Sequence, residues 1–175
     1  MKISAEKVKE LREMTSSGIM DCRRALQESK GDVEKAKVIL RKKGLEIAAK
    51  KAMRATNEGR IEAYVHLGNK IGVLVEVNCE TDFVARNEEF KQFTKDIAMH
   101  IAASDPAHLK RDDVSKDIIK DEKNPDDYYK TNCLLDQPFV KDQRTTVQEY
   151  LNSVISKTGE NVSISRFVRF KLGEQ

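Results

Sequence analysis

The run IGVLVEVNCETDFVARNEEF, Ile71 to Phe90, changes its hydrophobic period halfway along. Ile71, Val73, Val75 and Val77 alternate with other residues, the two-residue repeat of a strand with one buried face. From Phe90 onward, Phe93, Ile97 and Ile101 recur at helical spacing. Asn87 stands where it can accept from the free N–H groups of that helix, Glu88 and Glu89 suit its positive end, and Asp105-Pro106 stops it. A strand leading straight into a helix that can cover it points to an α+β fold. One residue resists this reading. Phe83, one of only six Phe in a chain without Trp, sits in the connection beside Asp82. Packing logic makes it a core residue sealing the sheet end, with Asp82 as a turn or capping residue. The alternative is an exposed aromatic anchor on a stiff joint, ready for a partner's groove.

Working outward, Ile61, Ala63 and Val65 alternate in the same way before "LGNK", so the two runs form an antiparallel hairpin. A two-residue Gly68–Asn69 turn would put their apolar sets on opposite faces. A three-residue loop, Leu67–Asn69, aligns Val65 with Ile71 and is expected. Residues 112–129 are charged and weakly periodic, implying short helix and loop, and "QPFVKD" is extended. Thr145 to Lys157 reads as an amphipathic helix burying Val147, Tyr150, Leu151, Val154 and Ile155. In "NVSISRFVRFKL" Val162, Ile164, Val168, Phe170 and Leu172 share one face of a further strand.

The first third is different. Met1–Thr56 holds 15 Lys and Arg against 8 Asp and Glu, whereas Asn57–Gln175 holds 17 against 21, so a boundary is expected near residue 56. Val8 and Leu11, then Cys22, Ala25 and Leu26, then Val33, Ala36 and Leu40 give three narrow helical stripes. Thr15–Gly18 and Gly31–Asp32 separate them, Asp32 can cap the third helix, and Gly44 is expected to end it. The expected division is a three-helix head over 1–44, a helical linker over 45–58 and an α+β core over 59–175.

Composition excludes several classes. Charged residues at 35% and apolar residues at 39% fit a soluble fold with modest cores better than a disordered chain. No run is long and apolar enough for a membrane span, and the charged N-terminus does not read as a signal peptide, so a cytoplasmic address is expected. Cys22, Cys79 and Cys133 suggest neither a disulfide framework nor a zinc spacing. His66, His100 and His108 form no metal-binding pair, and no phosphate loop or nucleophile elbow is present; no metal, cofactor or catalytic residue is expected. Glu80 and Asp82, two positions apart at a strand end, are expected to point to opposite sides and not to act as a carboxylate pair. The basic cluster Arg41, Lys42, Lys43, Lys50, Lys51 and Arg54 admits a ribosome- or RNA-binding reading. It lacks interleaved aromatics, and a solvated helix face explains it as well.

Several motifs carry a resemblance: "MTSSGIMDCRRAL" from Met14, "KGLEIAAKKA" from Lys43, "GVLVEVNCETDFVARNEEF" from Gly72, "QPFVKD" from Gln137 and "SKTGENVSISRFVRFKLGE" from Ser156. In kind and order they resemble the bacterial translation elongation factor Ts family. That resemblance implies a non-enzymatic guanine-nucleotide exchange factor for elongation factor Tu, with a ubiquitin-associated-like three-helix head and no need for direct nucleic-acid or membrane binding. It further implies that Thr81, Asp82, Phe83 and Val84 enter the GTPase's nucleotide-binding domain and disturb its magnesium site. His66, Met20, Thr158 and Gly159 match other partner contacts, with Thr158 standing where the family has Ile. The chain is short between residues 112 and 137, and with one hairpin and one Thr-Asp-Phe it is expected to form a two-fold homodimer.

Overall fold

In the computed structural model, residues 3–15 and 17–174 are described. Met1, Lys2, Ser16 and Gln175, which the expected 1–44 and 59–175 boundaries and the Thr15–Gly18 break include, lie outside them. Three helices open the chain: α1 (Ala5–Thr15), α2 (Ile19–Glu28) and α3 (Val33–Lys51). The expected stripes meet in one buried cluster of Val8, Leu11, Cys22, Ala25, Leu26, Ala36 and Leu40. Asp32 caps α3 by accepting from the Lys35 N–H at 3.0 Å.

Gly44 does not end that helix. The expected third helix and the first half of the linker are one rod of 19 residues. A Gly inside a helix costs about 1 kcal/mol relative to Ala, and tertiary packing outweighs it here. The far half of α3 buries Ala48, with Ile47 beside it, in a second core.

The chain continues through β1 (Glu58–Val65), β2 (Ile71–Cys79), α4 (Asp82–Arg86), α5 (Glu88–Ser104), α6 (Lys116–Asp121), α7 (Pro125–Asn132), β3 (Pro138–Phe139), β4 (Asp142–Thr146), α8 (Val147–Thr158) and β5 (Val162–Lys171), and the second core draws chiefly on β2, α4, α5, α8 and β5. The main sheet is antiparallel in the order β1-β2-β5, and β3 and β4 form a small hairpin. The fold is α+β. Phe90, Phe93, Ile97 and Ile101 of α5 are fully buried over Val73, Val75 and Val77 of β2, and α8 adds Val147, Leu151, Val154 and Ile155.

The hairpin register differs from expectation. Val65 faces Gly72 and Ala63 faces Leu74, one position away from the pairing a three-residue loop would give. Gly68 and Asn69 both adopt positive φ, 91° and 55°. The loop closes through His66 N–H to Ile71 O, leaving four residues, Leu67–Lys70, between them. A shift of one residue turns every β1 side chain over. Tyr64 and Glu62 therefore lie on the helix-covered face, while Ile61, 64% exposed, lies with Val65 on the outer face.

β5 departs in a related way. A bulge beside Glu76 and Val77 leaves Ser165 unpaired and inverts the alternation that follows. Val162 and Ile164 are buried as expected, but Val168 and Phe170 point outward, Phe170 at 67% exposure, opposite Leu74 and Gly72. One face of the sheet is thus a helix-covered core. The other is an open apolar surface bordered by an Arg166–Glu76 ion pair at 2.7 Å.

Candidate partner-binding site

Phe83 stands on α4, a five-residue helix with a cap at each end. The Thr81 hydroxyl accepts from the Val84 N–H at 3.5 Å, and Asn87 both terminates α4 and caps α5 through the Glu89 N–H at 2.8 Å. Val84 is buried in the core beneath the helix. Successive helical residues point about 100° apart, from 3.6 residues per turn. Anchoring Val84 inward therefore turns Phe83 outward, and it is 82% exposed.

This corrects the packing-based reading. Val84 and Cys79 seal the sheet end, not Phe83. Asp82 is not the capping residue either; Thr81 caps, and the Asp82 carboxylate accepts from Arg86 at 2.8 Å across an exposed pair. Such a pair contributes only a few tenths of a kcal/mol, about 0.3–0.5. Asp82 thus remains available beside the exposed ring.

Behind α4 lies a polar frame that sequence patterns did not disclose. The Glu160 carboxylate accepts from the Thr81 N–H at 3.0 Å and from its hydroxyl at 2.6 Å. Glu80 turns away from Asp82 because Asp82 already belongs to α4, whereas two positions of one strand would share a face, and Glu80 accepts from the Asn161 N–H at 2.5 Å. That N–H, followed by Arg54, holds the Glu80 carboxyl below the usual carboxylate range. Asn161 in turn donates its amide to the Arg54 carbonyl at 2.8 Å. No local periodicity could have found these contacts, because Thr81 and Glu160 lie 79 positions apart. The only available signal was the Gly-Glu-Asn turn between α8 and β5.

The fold joins some of the expected residues and separates others. Thr158 ends α8 and Gly159 caps it with φ 74°, one residue before Glu160, so this turn adjoins the Thr81–Val84 corner. His66 lies at the far end of β2, exposed at the hairpin tip, where the Tyr64 hydroxyl meets its Nδ1 at 3.0 Å. Nine strand residues put the two ends of β2 about 26 Å apart. Met20 is 55% exposed on α2 of the head. These residues lie at separate places on the surface.

Much of the basic cluster faces the protein's own acceptors. Arg41 pairs with Glu149 at the start of α8 at 3.2 Å, Lys43 with Asp21, and Arg54 with Glu80 at 3.4 Å. Lys51 donates to the Gly159 carbonyl. The cluster latches the long helix α3 to α8 and to the turn behind α4.

The three cysteines and His100 are used in packing. Cys22, Cys79 and Cys133 are all buried, and burial pushes the Cys79 thiol up to about 11. His100 is buried with both ring nitrogens engaged: Nδ1 accepts from the Val140 N–H at 3.2 Å and Nε2 donates to Gln137 at 2.9 Å. Among the described residues, no group of three or more His, Cys, Asp or Glu is placed to hold a metal ion. Among them, too, no helix is long and apolar enough to cross a membrane.

Comparison with known proteins agrees along nearly the whole chain. The sequence model of the family described as "Elongation factor TS" matches residues 3–126 and 126–174. Elongation factor Ts of Koribacter versatilis is 49% identical over 197 residues, covering 99% of this chain and 90% of its own. That of Thermoanaerobacter sp. (strain X514) is 49% identical over 195 residues, with 98% and 96% covered. That of Geobacter metallireducens is 50% identical over 197 residues, with 99% and 91% covered. The aligned lengths exceed this chain's 175 residues, and the family match breaks at Asp126, inside the segment read as short. By the extent of the family match and by these identities, the chain belongs to the elongation factor Ts family.

Proposed function

We propose that this chain is a guanine-nucleotide exchange factor that promotes GDP release from elongation factor Tu in the cytoplasm. It works by pressing the Thr81–Val84 segment against the partner near its magnesium site. The observation that carries the reading is the 82% exposure of Phe83 on a short helix held by caps and by the buried Val84. A rigid exposed aromatic enters a partner's groove with little loss of side-chain freedom. Phe83 supplies the apolar insertion, and Asp82 perturbs polar contacts beside the ion.

The energetics are those of linkage. A protein that binds the nucleotide-free GTPase more tightly than the GDP-bound form weakens GDP by the same coupling free energy. No bond is made or broken by this chain, and no cofactor is required. Met20 on the ubiquitin-associated-like head, His66 at the hairpin tip and the Thr158–Gly159 turn provide further contacts, holding the GTPase while Phe83 enters. The expected division into head, linker and core gives way in this reading to a head carried on one continuous helix.

The chain acts as a two-fold homodimer. The open face of the main sheet supports this: Ile61, Val65, Leu74, Val168 and Phe170 are exposed side by side, and a second copy offers the same flat surface. The RNA-binding alternative has less support, because Arg41, Lys43, Lys51 and Arg54 already have partners within the chain. Release of a fluorescent GDP analogue from elongation factor Tu tests the proposal. Addition of the chain accelerates release; unchanged release, together with steeply salt-dependent RNA binding, would favour the alternative.

A further inference from the structure

We infer that Glu160 is a positioning residue for nucleotide exchange: its carboxylate grips Thr81 and so fixes the direction in which Phe83 leaves the surface. This rests on the reading of Phe83 as the inserted group. Both Glu160 oxygens are used on Thr81, one accepting from the backbone N–H at 3.0 Å and the other from the hydroxyl at 2.6 Å. Hydrogen bonds to an ionised acceptor are shorter and stronger than neutral ones. By donating its proton to Glu160, the Thr81 hydroxyl keeps a lone pair directed at the Val84 N–H, the cap of α4. Carboxylate, cap and helix form one chain of contacts ending next to Phe83.

Position in the fold adds to the argument. Glu160 follows Gly159, whose carbonyl accepts from Lys51 at the end of α3. It precedes Asn161, whose N–H meets Glu80 and whose amide meets the Arg54 carbonyl. The turn after α8 therefore touches the end of the head's long helix on one side and the start of α4 on the other. A five-residue helix on a connection has little stability of its own, since nucleating the first turn is unfavourable. Its orientation depends on such external ties.

The chain has no Trp, so Phe83→Trp installs a unique Trp on α4 that can be excited selectively over the four Tyr. In that background Glu160→Ala lowers the steady-state anisotropy of Trp while lowering the thermal unfolding midpoint by only a few degrees, so that the chain stays folded at the assay temperature. With Phe83 restored, Glu160→Ala slows stimulated GDP release roughly tenfold, the scale of losing hydrogen bonds to a charged group. Glu160→Gln keeps one acceptor and gives an intermediate rate. Thr81→Ala combined with Glu160→Ala is no slower than the worse single variant, because both remove the same contact. Unchanged anisotropy, unchanged release or additive losses would overturn the assignment. Phe83→Ala separates the two levels. If it abolishes stimulation while Glu160→Ala does not, only the positioning role fails; if it leaves stimulation intact, the insertion reading fails and takes the positioning role with it.

Discussion

Phe83 and the outer face of the sheet both leave apolar atoms in water, but by opposite constructions. Phe83 stands on a five-residue helix with a buried neighbour, a cap at each end and a carboxylate behind the first cap. Ile61, Val65, Leu74, Val168 and Phe170 lie across three strands as a broad, flat patch. A single aromatic on a braced corner can enter and leave a groove, which suits an encounter that must end after each cycle. A wide patch is a hazard to a monomer and is better covered permanently. Under the proposed function, the braced corner serves transient contact and the flat patch lasting assembly.

The first way to break this contrast is to compare Phe83 with a Phe that belongs to the core. Phe93 is fully buried between the sheet and Tyr150, whose ring lies edge-on at 5.0 Å. Phe93→Ala is expected to reduce unfolding free energy by about 3–5 kcal/mol. Phe83→Ala is expected to change it by no more than about 0.5 kcal/mol, as for a surface site. Urea unfolding followed by circular dichroism checks both. Comparable losses at the two positions would return Phe83 to a structural role.

A second test addresses the patch. Replacing Leu74 with Lys sets a charge at the centre of the outer face, opposite Val168. The variant is expected to sediment as a monomer where the unaltered chain sediments as a dimer. The loss is on the order of 2 kcal/mol, the scale of an interface hot spot. Two identical sedimentation profiles would mean that the patch is not the dimer interface.

The smallest effect concerns the hidden side of the sheet's cover. Burial holds the His100 pKa below its ordinary 6.5, although the Gln137 contact opposes this. The unfolded chain therefore takes up the proton first as pH falls. Stability from this group is complete above about pH 6.5 and declines as pH drops through and below that value. Protonation at Nδ1 would also cost the Val140 N–H its acceptor. His100→Asn is expected to flatten the decline in urea midpoint between neutral and mildly acidic pH, whatever its effect at neutral pH. An unaltered slope would assign the decline to carboxylates.

Where one element carried its own period and punctuation, the sequence was legible. The stripe of α5, its Asn87 cap and its stop before Pro106 could be read directly, as could the three head stripes and the Asp32 cap. Register was not legible, because a single residue in the Leu67–Lys70 loop and the bulge at Ser165 decide which face of β1 and β5 meets water. The end of α3 was misread because Gly44 was weighed by propensity alone, whereas Ala48 on the next turns is held by the second core. At the site, the period change located Phe83, and only the resemblance gave it a use. The frame of Glu160, Asn161 and Glu80 lay beyond both, being contacts between residues about 80 positions apart.

The most direct test is stimulated release of fluorescent GDP from elongation factor Tu, measured at saturating chain with Phe83→Ala beside the unaltered protein. A groove-filling aromatic contributes about 2 kcal/mol or more, so stimulation is expected to fall at least roughly 30-fold with the unfolding midpoint preserved. Full stimulation by a folded Phe83→Ala chain would contradict the account.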